Sequence, residues 1–254
     1  MTGRGAAHPP AALGVWCAVA RAVDVPSGES WLTPAERPVE AGLRVAKRRD
    51  DWRLGRWVAK SAVRRCLSAA GEPPPVERIG IIAADDGAPE VVLPERSAPA
   101  LSLSHSAGVG FAVAATALGG AGPRPSLGCD LERIEERSAA FVRDYLTQSE
   151  RDAVAEAAPE LRATCVTLAW SGKEAVLKLL RSGLRSDPRG VEVQLEVGSA
   201  SAGPSWSPLT VVAADGRACR GWWTQRAGFI WTVMTSAPVR PVLHPDPGFA
   251  SFSG

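Results

Sequence analysis

The stretch GGAGPRP at residues 119–125 divides the sequence into two similar halves. Its glycines and prolines disfavour both helix and strand, so the stretch is typical of a linker. Before it, a strand pattern, a helical pattern and a hairpin pattern follow one another, and after it the same order returns. We therefore predict a mixed α/β (α+β) protein of two similar lobes related by a pseudo-twofold, each a small, mostly antiparallel sheet packed on helices.

The individual elements are predicted from hydrophobic periodicity. In the first half we expect a strand, a loop, a long helix, a short strand and a hairpin, over residues 15–23, 26–38, 40–67, 79–84, and 101–105 with 109–117. In the second half we expect a strand, helices, a strand and a closing antiparallel set, over residues 127–133, 138–180, 191–197, and 209–213 with 219–225 and 229–235. These elements predict an N-terminal lobe at 13–120, a C-terminal lobe at 121–236, a disordered start at 1–12 and a loose tail at 237–254.

Composition indicates an ordinary soluble protein. The 254 residues are 45% hydrophobic and carry a net charge of +2, and the longest nearly apolar run, 11–20, is too short to span a bilayer. Five scattered cysteines without a Cys-x-x-Cys pair favour free thiols in a reducing compartment. We expect a cytoplasmic protein without a membrane partner.

A basic segment at residues 41–70 holds nine basic and two acidic residues, which predicts an anionic partner. Its cations fall on one stripe of the predicted helix, at Arg49, Arg53, Arg56, Lys60 and Arg64. Such a stripe is most often solvated surface, but it also suits phosphate binding. No nucleic-acid-binding motif accompanies it, so we expect no nucleic-acid partner.

The strand LGCDLER at 127–133 places Asp130 and Glu132 on the same face, with their Cα atoms roughly 6–7 Å apart. Two carboxylates at this spacing repel each other unless a cation lies between them, and Mg²⁺ prefers oxygen ligands of this kind. For this motif alone, a solvated strand face is the more common explanation of such a pair.

The stretch WSGKEAVLK at 170–178 contains two of only four lysines in a chain that otherwise uses arginine. On a helix, Trp170, Glu174 and Lys178 share one face. An exposed Glu–Lys pair is the simplest interpretation. The tryptophan on the same face and the choice of a compact ammonium over a guanidinium favour a specific site instead.

A third motif, LSLSHS at 101–106, places Ser104 and His105 at the end of a predicted strand. Neighbouring strand residues point to opposite faces, and no Gly-x-Ser-x-Gly motif is present, so a serine hydrolase is excluded. A lone histidine at a strand end is most often structural.

Together and in this order, the motifs resemble those of the two-lobed, surfactin-synthetase-type 4′-phosphopantetheinyl transferases. The resemblance covers residues from about 40 to 180, through the stretches KRRDDWRLGRWVAKSAVR (47–64), DGAP (86–89), LSLSHSAG (101–108), GCDLE (128–132) and WSGKEAVLK (170–178). It implies two similar α/β lobes with the active site between them. The implied activity moves the phosphopantetheine arm of coenzyme A to a serine of an apo acyl or peptidyl carrier protein, releasing 3′,5′-ADP.

The resemblance also implies roles for individual residues. Asp130, Glu132 and Glu174 match magnesium ligands, and Lys173 and Lys178 match lysines near the pyrophosphate. Ser104 and His105 match positions that hold the 3′-phosphate side of coenzyme A, and Arg49, Arg53 and Arg56 fall in the basic segment that binds the nucleotide. By these matches Glu174 or a magnesium-bound water takes the serine proton, and Lys178 stabilises charge on the phosphate.

The chain departs from the family pattern at three positions where basic residues are common, namely Ala88, Glu36 and Val39. The phosphate contacts are therefore expected to shift to the basic stripe. Two alternatives stay open: a magnesium-dependent phosphohydrolase, and a non-catalytic protein that binds nucleotides or nucleic acid. The resemblance favours a monomer but does not choose between carriers of fatty-acid, polyketide and nonribosomal peptide synthesis.

Overall fold

A computed structural model describes residues 14–69, 71–94, 97–116, 124–182, 186–195, 206–235 and 242–245. Most of the predicted linker, the start at 1–12 and most of the tail lie outside these residues. Among the described residues, no helix combines the length and the apolar content needed to cross a membrane.

In its described residues, the N-terminal lobe contains a four-stranded sheet, a separate hairpin and two α-helices. Its strands are β1 (Gly14–Arg21), β2 (Gly80–Ala83), β3 (Pro89–Val92), β4 (Ala100–Ser106) and β5 (Val109–Ala115), and its helices are α1 (Glu36–Ala41) and α2 (Ala46–Ser68). The sheet has the order β11-β1-β5-β4, where β11 (Val242–His244) runs parallel to β1, while β2 and β3 pair only with each other.

The part of the C-terminal lobe that the structure describes contains a five-stranded sheet and three α-helices. Its strands are β6 (Leu127–Arg133), β7 (Glu192–Val193), β8 (Ser207–Val212), β9 (Ala218–Arg226) and β10 (Phe229–Thr235), in the order β6-β10-β9-β8-β7. Its helices are α3 (Ala139–Tyr145), α4 (Gln148–Glu156) and α5 (Arg162–Leu179).

The two lobes share a topology, which confirms the prediction of two similar α/β units. In each, the first strand pairs antiparallel with the last strand of a closing hairpin: β1 with β5, and β6 with β10. The hairpin partner follows as the next strand, giving β1-β5-β4 and β6-β10-β9. Each hairpin turn is an Ala-Gly pair in which both residues have positive φ, at 107–108 and 227–228.

The sheets pack face to face and each carries its long helix on the outer side. Side chains such as Val113 from the first sheet and Val233 from the second form the core between the sheets. Alternate residues point the other way, where Ala112 packs beneath α2 and Ile230 beneath α5. The result is a helix–sheet–sheet–helix stack, which follows from strands that are buried on both faces.

Glycine at 128 allows α5 to lie directly against β6. A Cβ atom at this position would come within 1.8 Å of the Ala175 carbonyl oxygen and 2.8 Å of the Leu179 backbone nitrogen. The close approach fixes how the side chains of β6 meet those of α5, and these two elements carry both acidic sequence motifs.

Three predicted elements differ from the structure. The single helix expected over 40–67 is two helices, because the chain leaves helical geometry between Gly42 and Val45. Strand β3 was not predicted, because its sequence has no clear alternation of apolar and polar residues. It forms a strand by pairing antiparallel with β2 across a turn. Residues 242–244 of the expected loose tail form β11, because the backbone of β1 offers them a free edge.

Candidate functional site at the junction of the lobes

Strand β6 and helix α5 bring the two sequence motifs together. Cys129 and Leu131 point into the core between the sheets, so Asp130 points to the opposite side, where α5 lies. Asp130 is only 3% exposed. The alternation read from the sequence is therefore correct for this strand, and it delivers a buried carboxylate to the helix.

Lys178 is the direct partner of Asp130. Its Nζ donates to Asp130 Oδ1 at 2.7 Å and to the Cys129 carbonyl at 3.1 Å. Burial would lower the pKa of Lys178, but the nearby Asp130 carboxylate outweighs it, so the pKa lies above its ordinary value. The lysine is a fixed ammonium at the centre of the site.

The carboxylates around Lys178 exceed the positive charge that the side chains supply. Burial, and then repulsion from Asp130, raises the pKa of Glu132 to about 7. The same two causes raise the pKa of Glu174. Buried oxygens of Asp130 (Oδ2) and Glu174 (Oε1) have no hydrogen-bond partner. Such oxygens fit a hard divalent cation, although the described residues form no cluster of three or more acidic, His or Cys groups already spaced to hold one.

Glu132 is held in place from two sides. Trp170 Nε1 donates to its Oε1 at 3.1 Å, and Arg137 Nη2 donates to its Oε2 at 3.3 Å. The tryptophan of WSGKEAVLK thus orients an acid of LGCDLER, which explains why the sequence placed Trp170, Glu174 and Lys178 on one helix face.

Strand β4 of the other lobe closes the site. Ser104 donates its Oγ hydrogen to Asp130 Oδ1 at 2.8 Å, and Ser102 Oγ accepts from the Cys129 backbone N–H at 3.0 Å. Next to Ser104, His105 is exposed at the strand end. Partial burial lowers its pKa, while the charges of Asp51 and Asp130 act to raise it. His105 is therefore near the cluster without a direct bond to Asp130.

A cavity of about 550 Å³ opens beside this cluster, between the lobes. Lys178 lines it, so the ammonium that binds Asp130 also faces the cavity. Arg56 and Arg124 add cationic lining, Arg181 lines the cavity as a pair with the carboxylates of Asp86 and Glu90, and the apolar lining includes Leu101 and Leu177. A ligand with anionic groups and an apolar part matches this lining.

The comparison with protein families agrees with this geometry. Residues 126–208, 83 of 254, match the model of the 4'-phosphopantetheinyl transferase superfamily, and this segment contains all of β6 and α5. Over this segment the chain is similar to the 4′-phosphopantetheinyl transferase superfamily. Among curated proteins, none matches the chain in sequence.

Solved structures of holo-(acyl-carrier-protein) synthases show a local likeness. The Bacillus anthracis enzyme in complex with CoA (3′,5′-ADP) is 23% identical at a TM-score of 0.36, covering 41% of this chain and 96% of that one. The Thermotoga maritima enzyme is 17% identical at 0.37, covering 54% and 76%. A Chronobacterium ammoniagenes synthase–CoA complex is 21% identical at 0.33, covering 41% and 96%. At these scores the likeness supports no conclusion about function.

One residue of the superfamily segment is placed differently from the sequence prediction. Lys173, expected near a pyrophosphate, is fully buried on the far side of α5. Its Nζ forms an ion pair with Glu150 Oε2 at 2.9 Å and donates to the carbonyls of Pro188 and Val191. All three ammonium hydrogens are used, so Lys173 has none to offer a ligand.

The predicted basic stripe is also divided by the structure. Arg53 forms an ion pair with Glu40 and donates to the carbonyls of Pro26 and Gly28, so it holds a loop rather than facing the interlobe cavity. Arg49 is exposed and lines, with Arg53, a separate cavity on the N-terminal lobe. Only Arg56 of the three predicted arginines lines the interlobe cavity.

Lys60 of the stripe is buried in an arrangement that matches that of Lys173. Its Nζ donates to Glu36 Oε2 at 2.6 Å and to the Trp31 carbonyl. Glu36 forms a capping pair with Thr33 and accepts from the Ile81 backbone N–H in β2. The expectation of a solvated stripe is wrong at this position, because the amine neutralises a buried carboxylate.

The C-terminal lobe repeats this arrangement residue by residue. Glu150 caps α4 with Thr147, binds Lys173 and accepts from the Val193 backbone N–H in β7. The sequence carried the signal, since WLTPAER (31–37) aligns with YLTQSER (145–151) and WVAKSAVRR (57–65) aligns with WSGKEAVLK (170–178). The repeat is not evident from the sequence pattern because its two short parts are separated by residues 38–56 in one half and 152–169 in the other.

Only the second copy has the acidic groups. In the alignment, Ser61 stands where the C-terminal lobe has Glu174, and Arg65 where it has Lys178. The matching strand registers place Ala18, opposite Ala112, where β6 has Asp130, opposite Thr232. The described part of the chain therefore forms one such acidic site, in the C-terminal lobe, with the N-terminal lobe supplying Ser104 and the cavity wall.

Proposed function

We propose that this protein transfers the 4′-phosphopantetheine group of coenzyme A to a serine of an apo acyl or peptidyl carrier protein. The products are the holo-carrier and 3′,5′-ADP. The observation that carries the proposal is that Lys178 both binds Asp130 and lines the interlobe cavity. The Lys178 ammonium thus joins the acidic cluster, which would act on the phosphate, to the interlobe cavity, which would hold the nucleotide. Residues 126–208, which contain this ammonium, match the superfamily that performs this transfer.

The cavity binds coenzyme A in this proposal. Arg56 and Lys178 face the phosphates, and the apolar wall near Leu101 covers the less polar part of the molecule. His105 lies close to the cluster and holds the 3′-phosphate side. Because Arg53 and Lys173 are bound to other groups and Arg49 lines a separate cavity, the nucleotide is bound with fewer cations than the sequence suggested.

Magnesium is the cofactor that the acidic groups fit. Asp130, Glu132 and Glu174 would hold the ion. Asp130 Oδ2 and Glu174 Oε1 are buried without a hydrogen-bond partner, and burial together with the Asp130 charge raises the pKa of Glu132 and Glu174, which indicates a shortage of positive charge. When bound, the ion neutralises the pyrophosphate and stabilises charge in the transition state.

The chain's own residues handle the proton and the charge. The carrier serine oxygen attacks the phosphorus that bears the pantetheine arm, and the bond from that phosphorus to the 3′,5′-ADP oxygen breaks. Glu174 accepts the serine proton, a role that its raised pKa suits. Lys178 stabilises the negative charge that develops on the phosphate oxygens.

The partner and setting follow from this reaction. The nucleophile comes from the carrier, so the protein needs no serine or cysteine nucleophile of its own. We propose that it acts as a monomer in the cytoplasm, with lobes over 13–120 and 121–236, because both lobes of one chain build the site.

The test combines coenzyme A, magnesium and an apo carrier protein, and follows the carrier by intact-mass spectrometry. We expect the carrier to gain one phosphopantetheine with the wild type and none with Asp130→Asn. The matched control is Asp215→Asn on the surface, which should behave as the wild type. Release of phosphate from coenzyme A without any change in the carrier would identify a phosphohydrolase, and binding without turnover would identify a non-catalytic nucleotide-binding protein.

A further inference from the structure

Arg181, directly after α5, connects the two lobes across the mouth of the interlobe cavity. Its Nε and Nη2 donate to both oxygens of Asp86, at 2.7 and 2.9 Å. Its Nη1 and Nη2 also donate to Glu90 Oε1, each at 3.1 Å. Asp86 and Glu90 belong to the β2–β3 hairpin of the other lobe, and all three residues line the cavity.

The hairpin needs such an anchor at its tip. Strands β2 and β3 pair with each other and with no strand of the main sheets. Their base is fixed to the N-terminal lobe, where Ile81 and Val91 are buried and Glu36 binds the Ile81 N–H. The tip is a turn in which Asp86 Oδ1 accepts from the Ala88 N–H, so the carboxylate is already oriented when Arg181 meets it.

Arg181 has a backbone conformation that is unusual for an arginine. Its φ is +56°, a left-handed conformation that favours glycine. The Arg181 N–H bonds to the Lys178 carbonyl and the Ser182 N–H to the Leu177 carbonyl, which is the helix-ending motif that usually has glycine at this position. This backbone conformation costs free energy for any residue other than glycine. We infer that the contacts of the Arg181 side chain with Asp86 and Glu90 offset that cost.

We propose that Arg181 is a positioning residue that latches the β2–β3 hairpin to the end of α5 and so holds the interlobe cavity in its ligand-binding shape. The latch lies three residues after Lys178, so it also couples the hairpin to the helix turn that carries the central ammonium. The guanidinium between two carboxylates holds the pKa of Asp86 below its ordinary value, which keeps the pair charged at neutral pH. The part of the inference that concerns coenzyme A rests on the proposed function.

The test uses Arg181→Gly, which removes the side chain that forms the latch and also removes the backbone strain at this position. The matched control is Ala227→Gly, because Ala227 also has positive φ, at +52°, and lies in the β9–β10 turn away from the cavity. Both variants should melt at or above the wild-type temperature. Only Arg181→Gly should speed amide hydrogen exchange of residues 81–92 in the ligand-free protein, by about twofold to tenfold.

Salt and ligand supply two further readouts. Raising the salt to about 1 M should speed hairpin exchange in the wild type and not in Arg181→Gly, because the contact is between charges. Coenzyme A should bind Arg181→Gly about threefold to tenfold more weakly, with kcat for carrier modification within about twofold of wild type, since the latch shapes the cavity and does not touch the reacting atoms.

The outcomes separate this inference from the proposed function. Equal hairpin exchange in Arg181→Gly and Ala227→Gly overturns the latch. Faster hairpin exchange with unchanged coenzyme A affinity overturns the positioning role. A wild type that binds no coenzyme A overturns the proposed function, while faster hairpin exchange in Arg181→Gly still supports the latch.

Discussion

Lys178 shows why a chain that mostly uses arginine keeps a lysine. A compact ammonium donates to Asp130 and to a main-chain carbonyl while it also lines the cavity. A planar guanidinium of larger size has no equivalent position here without displacing a neighbour. The choice of residue at this point is a matter of shape as well as charge.

Under the proposed function, Lys178→Arg should lower kcat for carrier modification by about 10²–10³ although the charge is kept, because the larger guanidinium displaces the proposed electrostatic stabiliser of the transition state. The measurement is steady-state kinetics, with a thermal melt to show that the variant folds. Lys47→Arg is the control, since Lys47 is an exposed helix residue paired with Asp51. Wild-type turnover in Lys178→Arg would mean that Lys178 has no catalytic role.

Glu132 predicts a pH dependence of folding stability. Its pKa of about 7 in the folded state lies above the ordinary 4.5, so the folded protein binds more protons between these pH values than the unfolded chain. The free energy of unfolding should therefore fall as pH rises from about 4.5 to 7 in the absence of divalent metal. The contribution is fully present below the unfolded pKa and is lost above the folded one.

Glu132→Gln isolates this effect. The variant should be more stable than the wild type at pH 8 and differ little at pH 5, when both are measured by urea unfolding in chelator. Added magnesium should then stabilise the wild type at pH 8 more than the variant, because a cation relieves the same repulsion. If the free energies of unfolding of the wild type and the variant differ by the same amount at both pH values, the pKa of Glu132 is not raised by folding.

At the scale of elements, each lobe ties its long helix to a capped helix and an outer strand through one buried ion pair. Lys60–Glu36 joins α2, α1 and β2, and Lys173–Glu150 joins α5, α4 and β7. Each glutamate thus satisfies a helix N-terminus and a strand N–H while it neutralises a buried amine. This explains two of the four lysines without reference to any ligand.

Lys60→Met and Lys173→Met should each destabilise the protein by about 3–5 kcal/mol, because each leaves a buried carboxylate without its partner. Lys47→Met, at an exposed pair, should change stability by less than about 0.5 kcal/mol. Urea unfolding measures all three. A Lys173→Met variant with full stability and lost coenzyme A binding would instead support a ligand role for Lys173.

At the scale of the whole molecule, the lobes share a core and should unfold together. Phe111 of the first sheet meets Trp231 of the second edge to face, with ring centroids 5.2 Å apart. The same cluster contains Cys17 and Cys129, both fully buried. Neither sheet buries its inner face without the other, so the lobes are not independent folding units.

Trp231→Ala should therefore destabilise both lobes at once, by about 3–5 kcal/mol. Amide exchange should accelerate in β1 and β5 as well as in β6 and β10, and urea should unfold the variant in one transition. The control is Val23→Ala, because Val23 is 85% exposed. Faster exchange confined to β6 and β10 would show that the lobes fold separately.

Local and repeated features of this protein are predictable from the pattern of its residues. Period-two alternation placed Asp130 and Glu132 away from the core, and helical spacing put Trp170, Glu174 and Lys178 on one face, as the contacts of Glu132 and Asp130 show. These patterns depend only on residues near in sequence, whose relative directions are set by backbone geometry. The repeated order of strand, helix and hairpin likewise predicted the two lobes.

Which cations can meet a ligand depends instead on contacts that form only when the chain folds. Arg53, Lys60 and Lys173 look available in the sequence, but their partners Glu40, Glu36 and Glu150 lie 13 to 24 residues away along the chain. Whether a charge is neutralised depends on which buried carboxylate the fold places beside it. The contact of Arg181 with Asp86, 95 residues apart, arises in the same way, because two lobes must first pack before their edges can meet.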